Sequence, residues 1–294
     1  MTCKLCGNDN VAITYEGLIR DGGLGKYTRN PVKMYKCQSC NAIWHDPVLE
    51  VKEYYESQEY RQSLEGTSQE EDFYKLHDKE SLDKFKYTGT TVFRNGIVAD
   101  IGCGCGAFLD YVSGVANKIV AIEPSATYRE IMDKKGFDTY TYASDALVDY
   151  KGKLDVVTSF DVIEHVEDPK SFVGDAYELL KAGGKAVIGT PTETPVMRQL
   201  LGEVYEKQLL FSTQHIWILS EQCMRKMAEE IGFSKIEFKY YQRYGIDNLF
   251  GWLRDGKPNN GTHAEFITDM MSEIWQSQLS NQKLSDYIVM YLEK

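Results

Sequence analysis

The stretch Ile97-Val98-Ala99-Asp100-Ile101-Gly102-Cys103-Gly104-Cys105-Gly106 constrains this chain more than any other. An apolar run ends in an acidic residue, and three glycines then alternate with small residues. This is the pattern of a buried strand entering a tight turn, with a helix starting at about Phe108. Glycine lets the backbone bend sharply and lets a ligand approach the main chain. Strand, glycine turn and helix N-terminus together make a nucleotide-cofactor site. The pattern alone leaves alternatives open. Gly102-x-Gly104-x-x-Ala107 also fits the relaxed dinucleotide fingerprint, and a bare strand–helix turn needs no ligand.

The neighbouring segments narrow the choice. Lys118-Ile119-Val120-Ala121-Ile122 reads as a second strand and ends at Glu123. A carboxylate at that position accepts hydrogen bonds from both hydroxyls of a ribose. Leu154–Phe160 begins as a buried strand and runs through Asp161-Val162-Ile163-Glu164-His165-Val166 into a polar turn. A helix follows from about Pro169, and the glycines of Leu179-Leu180-Lys181-Ala182-Gly183-Gly184 are expected to cap it. Strands near 97–101, 118–122, 137–141, 153–160 and 185–190 alternate with helices. That order predicts a doubly wound α/β fold, a parallel sheet wrapped by helices on both faces. Ser220 is placed to cap a helix over about 220–231, and Gly232 to stop it. Ile236–Tyr240 and Tyr287–Leu292 read as two more strands.

The chain has 294 residues and a net charge of −11, which makes it a poor candidate for non-specific binding to nucleic acid or an anionic membrane. No run approaches the roughly 18 apolar residues of a membrane span, and the N-terminus lacks the apolar core of a signal peptide. A cytoplasmic protein is expected. Four of the seven cysteines form Cys3-x-x-Cys6 and Cys37-x-x-Cys40, a spacing that suits one tetrahedral zinc ion. Four thiolates leave no open position, so the site is structural. A reducing compartment argues against disulfides. His45 is off the ligand spacing and is expected at the surface. Cys103 and Cys105 are explained by small size, and Cys223 by a helix core.

Three regions follow: a zinc module over 1–48, a helical cover over 49–90, and a main domain over 91–294. The cover shows helical spacing at Val51, Tyr54, Tyr55 and Tyr60. Two insertions near 192–218 and 243–284 interrupt the alternation and are expected to build the substrate side of a site.

Taken together, these pieces resemble the class I S-adenosylmethionine-dependent methyltransferases. The resemblance rests on the acid-x-Gly-x-Gly-x-Gly loop, strand-end Glu123, Asp161-Val-Ile-Glu-His-Val166 and the Leu-Lys-Ala-Gly-Gly turn, and it covers about residues 90–241. It implies a Rossmann-like, mostly parallel seven-stranded sheet whose last two strands pair antiparallel. It also implies that the glycine loop (Gly102, Cys103, Gly104, Gly106) lies by the carboxypropyl end of the cofactor. Asp100 would face that end, Glu123 the ribose, and Phe160 and Asp161 the methionine portion. Ser144 or Asp145 would meet the adenine, although Asp145 is equally suited to cap a helix. His165 and His215 are the candidate general bases, with His165 better suited to shaping the cleft.

The four-cysteine module ahead of this core resembles sugar methyltransferases. Aromatic residues beside Arg243 and Arg254 suit a sugar or nucleotide-linked sugar as a small-molecule acceptor, and equally a packed lid with ordinary surface charges. The chain lacks the large C-terminal domain of the sugar C-methyltransferases, which favours O- or N-methylation. Two alternatives stay open: an NAD-dependent oxidoreductase, and an inactive zinc-module binding protein.

Overall fold

The computed structural model describes residues 1–57, 70–259 and 265–294, so Tyr60 lies outside the described residues. The strands are, in chain order, β1 (Val11–Gly17), β2 (Val32–Cys37), β3 (Ile43–Trp44), β4 (Ile97–Ile101), β5 (Lys118–Ile122), β6 (Asp138–Tyr140), β7 (Leu154–Phe160), β8 (Leu180–Pro191), β9 (Trp217–Ile218), β10 (Lys235–Tyr241) and β11 (Tyr287–Glu293).

Seven of these form one sheet in the order β10-β11-β8-β7-β4-β5-β6. The ladders β6–β5, β5–β4, β4–β7 and β7–β8 are parallel. Val98, Ala99, Val120, Ala121, Val157 and Ile188 are fully buried. Such unbroken apolar runs are what a sheet covered on both faces requires. β10 and β11 run in opposite directions, because Ser234, just before β10, donates to Glu293 at the end of β11. Chain order reverses between β4 and β7. The C-terminal ends of β4, β5 and β7 therefore flank the crevice where open α/β sheets take their ligands.

Local chemistry sets the helix ends. Asp168 Oδ1 accepts from the backbone N–H of Lys170 and Ser171, both at 3.0 Å, and Pro169 opens the helix Pro169–Leu179. Ser220 Oγ accepts from Cys223 N at 3.1 Å, and Gly232, at φ 110°, stops the helix Glu221–Ile231. The expected glycine cap after Leu179 does not form. The chain turns extended at Leu180, which already pairs with Leu154 in β7. Residues 181–184 then bulge out before Lys185 meets Val156, and Gly183, at φ 73°, serves that bulge.

The chain divides into two compact units. One comprises Met1–Asp46, Thr190–Cys223 and Phe238–Val289, and the other Pro47–Gly189, Met224–Glu237 and Met290–Lys294. Within the first, β1, β2, β3 and β9 form a four-stranded sheet, and the Trp44 and Trp217 rings stack at 5.8 Å where β3 pairs with β9. Ile19, Met34, Ile43, Phe211 and Trp252 fill its core. Within the second, the helices Val51–Glu56 and Glu70–Thr88 precede the sheet strands.

Candidate active site

The glycine loop leaves β4 with Gly102, Gly104 and Gly106 all at positive φ. A side chain at Gly102 would collide with Val162, and one at Gly106 with Met132. Gly102 therefore requires glycine for space as well as for backbone conformation, and Gly106 for its backbone conformation. Gly106 immediately precedes the helix Ala107–Ser113. Glu123, buried at the end of β5, holds this turn: Oε2 accepts from Gly104 N at 2.9 Å and Oε1 from Ser125 N at 3.0 Å. Both carboxylate oxygens thus accept from backbone donors next to the strand ends. Cys103 and Cys105 are buried, in keeping with a packing role.

Asp100 is 2% exposed and accepts from the Thr158 hydroxyl at 2.7 Å. Burial pushes its carboxyl up to about 6, against the opposing pull of Lys84 and the Thr158 hydrogen bond. Lys84, on the helix Glu70–Thr88, lies 5.4 Å from the centre of the Phe160 ring and 5.8 Å from that of Phe108. Phe160 is buried against Tyr87 and Phe108. Asp161 is exposed and sits at φ 58°, a conformation that non-glycine residues seldom adopt.

The segment before the sheet is tied to these loops at several points. The Tyr55 hydroxyl lies 2.8 Å from His165 Nδ1, and His165 is itself buried, with Nε2 3.9 Å from Glu164 Oε1. Tyr142 donates to Glu56 at 2.6 Å. Tyr74 donates to the carbonyl of Cys105 in the glycine loop at 3.0 Å, and Lys135 donates to the Tyr74 hydroxyl at 2.6 Å while pairing with Asp110 at 2.7 Å. Asp145 caps its own helix, Ala143–Tyr150, by accepting from Tyr142 N at 3.0 Å. Tyr55 belongs to the helical cover expected from sequence, whereas Tyr74, Lys84, Lys135 and Tyr142 carried no signal there. Helical spacing in 49–90 announces helices but not which loop residues each side chain will meet, and Lys135 and Tyr142 lie far from that stretch in sequence.

His215 belongs to the other unit, where it is half-buried and its backbone N–H donates to Ser212 Oγ at 3.1 Å. The same unit holds the four-cysteine cluster. Cys3 and Cys40 sulfurs lie 3.7 Å apart, Cys6 and Cys37 sulfurs 3.5 Å apart, and all four within 4.8 Å of one another. Gly7, at φ 71°, and Asn41, at φ 57°, turn the chain just after each pair. His45 is not at the surface as expected. It is fully buried, with Nδ1 2.7 Å from the Asp46 carbonyl and Nε2 3.1 Å from that of Ser212. Its neighbour Trp44 is locked into the β3–β9 pairing, which draws His45 inside, where the one N–H of the neutral ring has a backbone carbonyl to meet on either side. Burial holds its pKa below the usual histidine range, against the pull of those carbonyls.

A family model described as a methyltransferase domain matches residues 69–238, more than half of the chain. The chain belongs to the methyltransferase-domain family. Solved structures of similar fold include a SAM-dependent methyltransferase from Archaeoglobus fulgidus (TM-score 0.51, 15% identity, 75% of this chain and 94% of that one). Another is a possible histamine N-methyltransferase from Thermotoga maritima (TM-score 0.50, 18% identity, 76% and 93%). Curated relatives include ubiquinone biosynthesis O-methyltransferases of Cupriavidus pinatubonensis, 24% identical over 64% of this chain and 80% of the relative, and Xanthomonas euvesicatoria, 25% identical over 70% and 80%. The methyltransferase thus takes S-adenosylmethionine as methyl donor and has the doubly wound seven-stranded sheet expected from sequence. Among the described residues of this methyltransferase, no helix is long and apolar enough to cross a membrane.

Proposed function

We propose that the chain transfers the donor's methyl group to an oxygen or nitrogen of a small-molecule acceptor, with the glycine loop and Glu123 holding the donor. The carrying observation is the pair of backbone bonds from Gly104 and Ser125 to Glu123, which presents a buried, oriented carboxylate at the strand ends. Bound S-adenosylmethionine supplies a methyl group activated by the sulfonium. Glu123 binds the ribose hydroxyls, the loop amides of Gly102, Cys103, Gly104 and Gly106 cradle the amino-acid end, and Asp100 faces the amino group. Phe160 and Asp161 flank the methionine portion. Asp145, engaged as a helix cap, has an exposed carboxylate for the adenine edge. Glu123→Ala is expected to weaken S-adenosylhomocysteine binding by about 1.5–3 kcal/mol, the range for hydrogen bonds to a charged group. Unchanged affinity by calorimetry would remove Glu123 from the site.

Asp100 adds a pH dependence. Its folded pKa is raised, so the free protein carries a proton there below about pH 6. An ammonium group beside it would hold it ionised, and binding would then release that proton. Affinity for S-adenosylhomocysteine is expected to rise by up to about tenfold per pH unit on approach to pH 6 and then level off. Asp100→Asn should flatten the profile. A wild-type profile already flat between about pH 5 and 7 would count against this placement of the amino group.

The curated relatives' names support an oxygen acceptor. The sugar-like acceptor has less support, because the residues that suggested it are otherwise engaged. Trp252 is buried against Tyr205, Arg254 pairs with Asp255, and Arg243 lies against Asp286 and the Tyr287 ring. We further propose that Cys3, Cys6, Cys37 and Cys40 hold one structural zinc ion in a reducing, cytoplasmic setting. A tetrahedron with Zn–S bonds of about 2.3 Å has S–S edges of about 3.8 Å, close to the observed 3.5 and 3.7 Å. A disulfide needs about 2.05 Å.

A further inference from the structure

One face of the helix Glu70–Thr88 is turned inward. Phe73, His77, Ser81, Lys84 and Thr88 recur at intervals of three or four residues, and all are buried or half-buried. The helix's other lysines, Lys75, Lys79 and Lys86, are exposed, and Lys75 and Lys86 pair with Asp72 and Asp83. Lys84 differs. Among the described residues no carboxylate lies within ion-pair distance of its ammonium, which instead sits 5.4 Å from the centre of the Phe160 ring and 5.8 Å from that of Phe108. Phe160 closes β7, and Phe108 lies in the first turn of the helix after the glycine loop. The ammonium therefore stands at the C-terminal ends of the strands. Its charge is felt there. Burial raises the Asp100 carboxyl, and Lys84 pulls it back down. Burial and the charges of Glu123 and Asp100 raise the Cys103 thiol, and Lys84 opposes them.

The neighbouring polar groups are already engaged. Thr158 donates to Asp100 at 2.7 Å, and Ser159 donates to the Ile101 carbonyl at 2.9 Å. Two other cations are tied to these loops. Arg129 donates to the carbonyls of Glu123 and Pro124, and Lys135 donates to Asp110 and Tyr74. An α-amino acid bears an ammonium and a carboxylate on one carbon, so a site that holds it well offers both opposite charges. Asp100 supplies the negative one and Lys84 the positive one, from two separate elements.

We infer that Lys84 binds the carboxylate of the donor's methionine portion while Asp100 takes its ammonium. The inference rests on the donor placement proposed above, and it extends the donor site to the helix that precedes the sheet. The loop amides are directional but carry only partial charge. Lys84 adds a full charge at a half-buried position, where salt screens it less than at the open surface. Nucleosides that lack the carboxylate are thereby selected against.

The test compares three nucleosides on the full chain by calorimetry. These are S-adenosylhomocysteine, its decarboxylated analogue, which keeps the amine, and methylthioadenosine, which lacks the whole amino-acid end. The wild-type chain should bind S-adenosylhomocysteine about tenfold or more tightly than the decarboxylated analogue. Lys84→Met should erase most of that preference while methylthioadenosine affinity stays within about twofold. Lys84→Arg should retain the preference, because a guanidinium also pairs with a carboxylate. Glu123→Ala should weaken all three nucleosides alike. An unchanged preference in Lys84→Met would overturn the inference. So would an equal loss for both amine-bearing nucleosides, which would mean that Lys84 acts only through Asp100. Failure of all three to bind the wild-type chain would reject the donor placement itself, and this inference with it.

Discussion

Substituting Cys37→Ser is expected to unfold the four-stranded sheet as well as the first 48 residues. Cys37 ends β2, pairs with Val11 of β1 and donates its N–H to the Ala42 carbonyl at 3.0 Å, so its sulfur sits where the turn and two strands converge. Structural zinc binds cysteine clusters with about 10–16 kcal/mol, comparable to or greater than the whole stability of a typical domain, about 5–15 kcal/mol. Loss of one ligand leaves three thiolates competing for a metal they hold less well. The disturbance should travel through β3 to β9, because Ile43 pairs with Ile218 and Trp44 with Trp217. It should also reach the helix Glu221–Ile231, whose cap Ser220 donates to the Cys40 carbonyl at 2.5 Å. Near-ultraviolet circular dichroism reads the Trp44–Trp217 pair, and elemental analysis should find about one zinc per wild-type chain. A metal-free preparation that keeps an unchanged tryptophan signal and an ordered N-terminus would reject the zinc assignment.

The second large effect concerns proton removal from a hydroxyl acceptor. His215→Ala is expected to lower turnover by roughly 10²–10⁴-fold, the usual contribution of a general base, while leaving donor affinity intact. Part of the loss should return at high pH, where hydroxide substitutes. His165 serves as the contrast. It is buried and held at Nδ1 by Tyr55, which supports a positioning role in the donor cleft. His165→Ala should disturb donor affinity and turnover together. Tyr55→Phe should reproduce a milder form of both effects. Full activity of His215→Ala on the true acceptor would end the base assignment and favour catalysis by positioning alone.

The parallel half of the fold was legible because each strand there is a buried apolar run closed by a polar or glycine turn. The expected strand at 97–101 coincides with β4, and 118–122 with β5. Glu123 and Asp100 stood out because a carboxylate directly after such a run has few packing roles. Other features left no such trace. β3 and β9 are two residues each, too short for any alternation to register, so their pairing and the burial of His45 were invisible. The break at Leu180 was misread because Gly183 and Gly184 resemble a helix stop, whereas pairing with β7 had already drawn the chain into the sheet. Tyr74 and Lys135 are 61 residues apart and meet only once the fold exists. The engagement of Arg243 with Asp286 likewise depends on a strand end that no local pattern announces.

The pairing of β3 with β9 also bears on the order in which the chain matures during synthesis. Both cysteine pairs leave the ribosome before the strand that completes their sheet, which follows about 170 residues after β3. At about 5–20 residues per second, β1, β2 and β3 wait for roughly ten seconds or more with an open edge at β3. Metal capture by the two cysteine turns during that interval would fix β1 and β2 in register and keep the thiols from oxidising. The sheet that carries the cysteine turns therefore stays half-built until β9, which lies within the segment matching the methyltransferase domain, has been made.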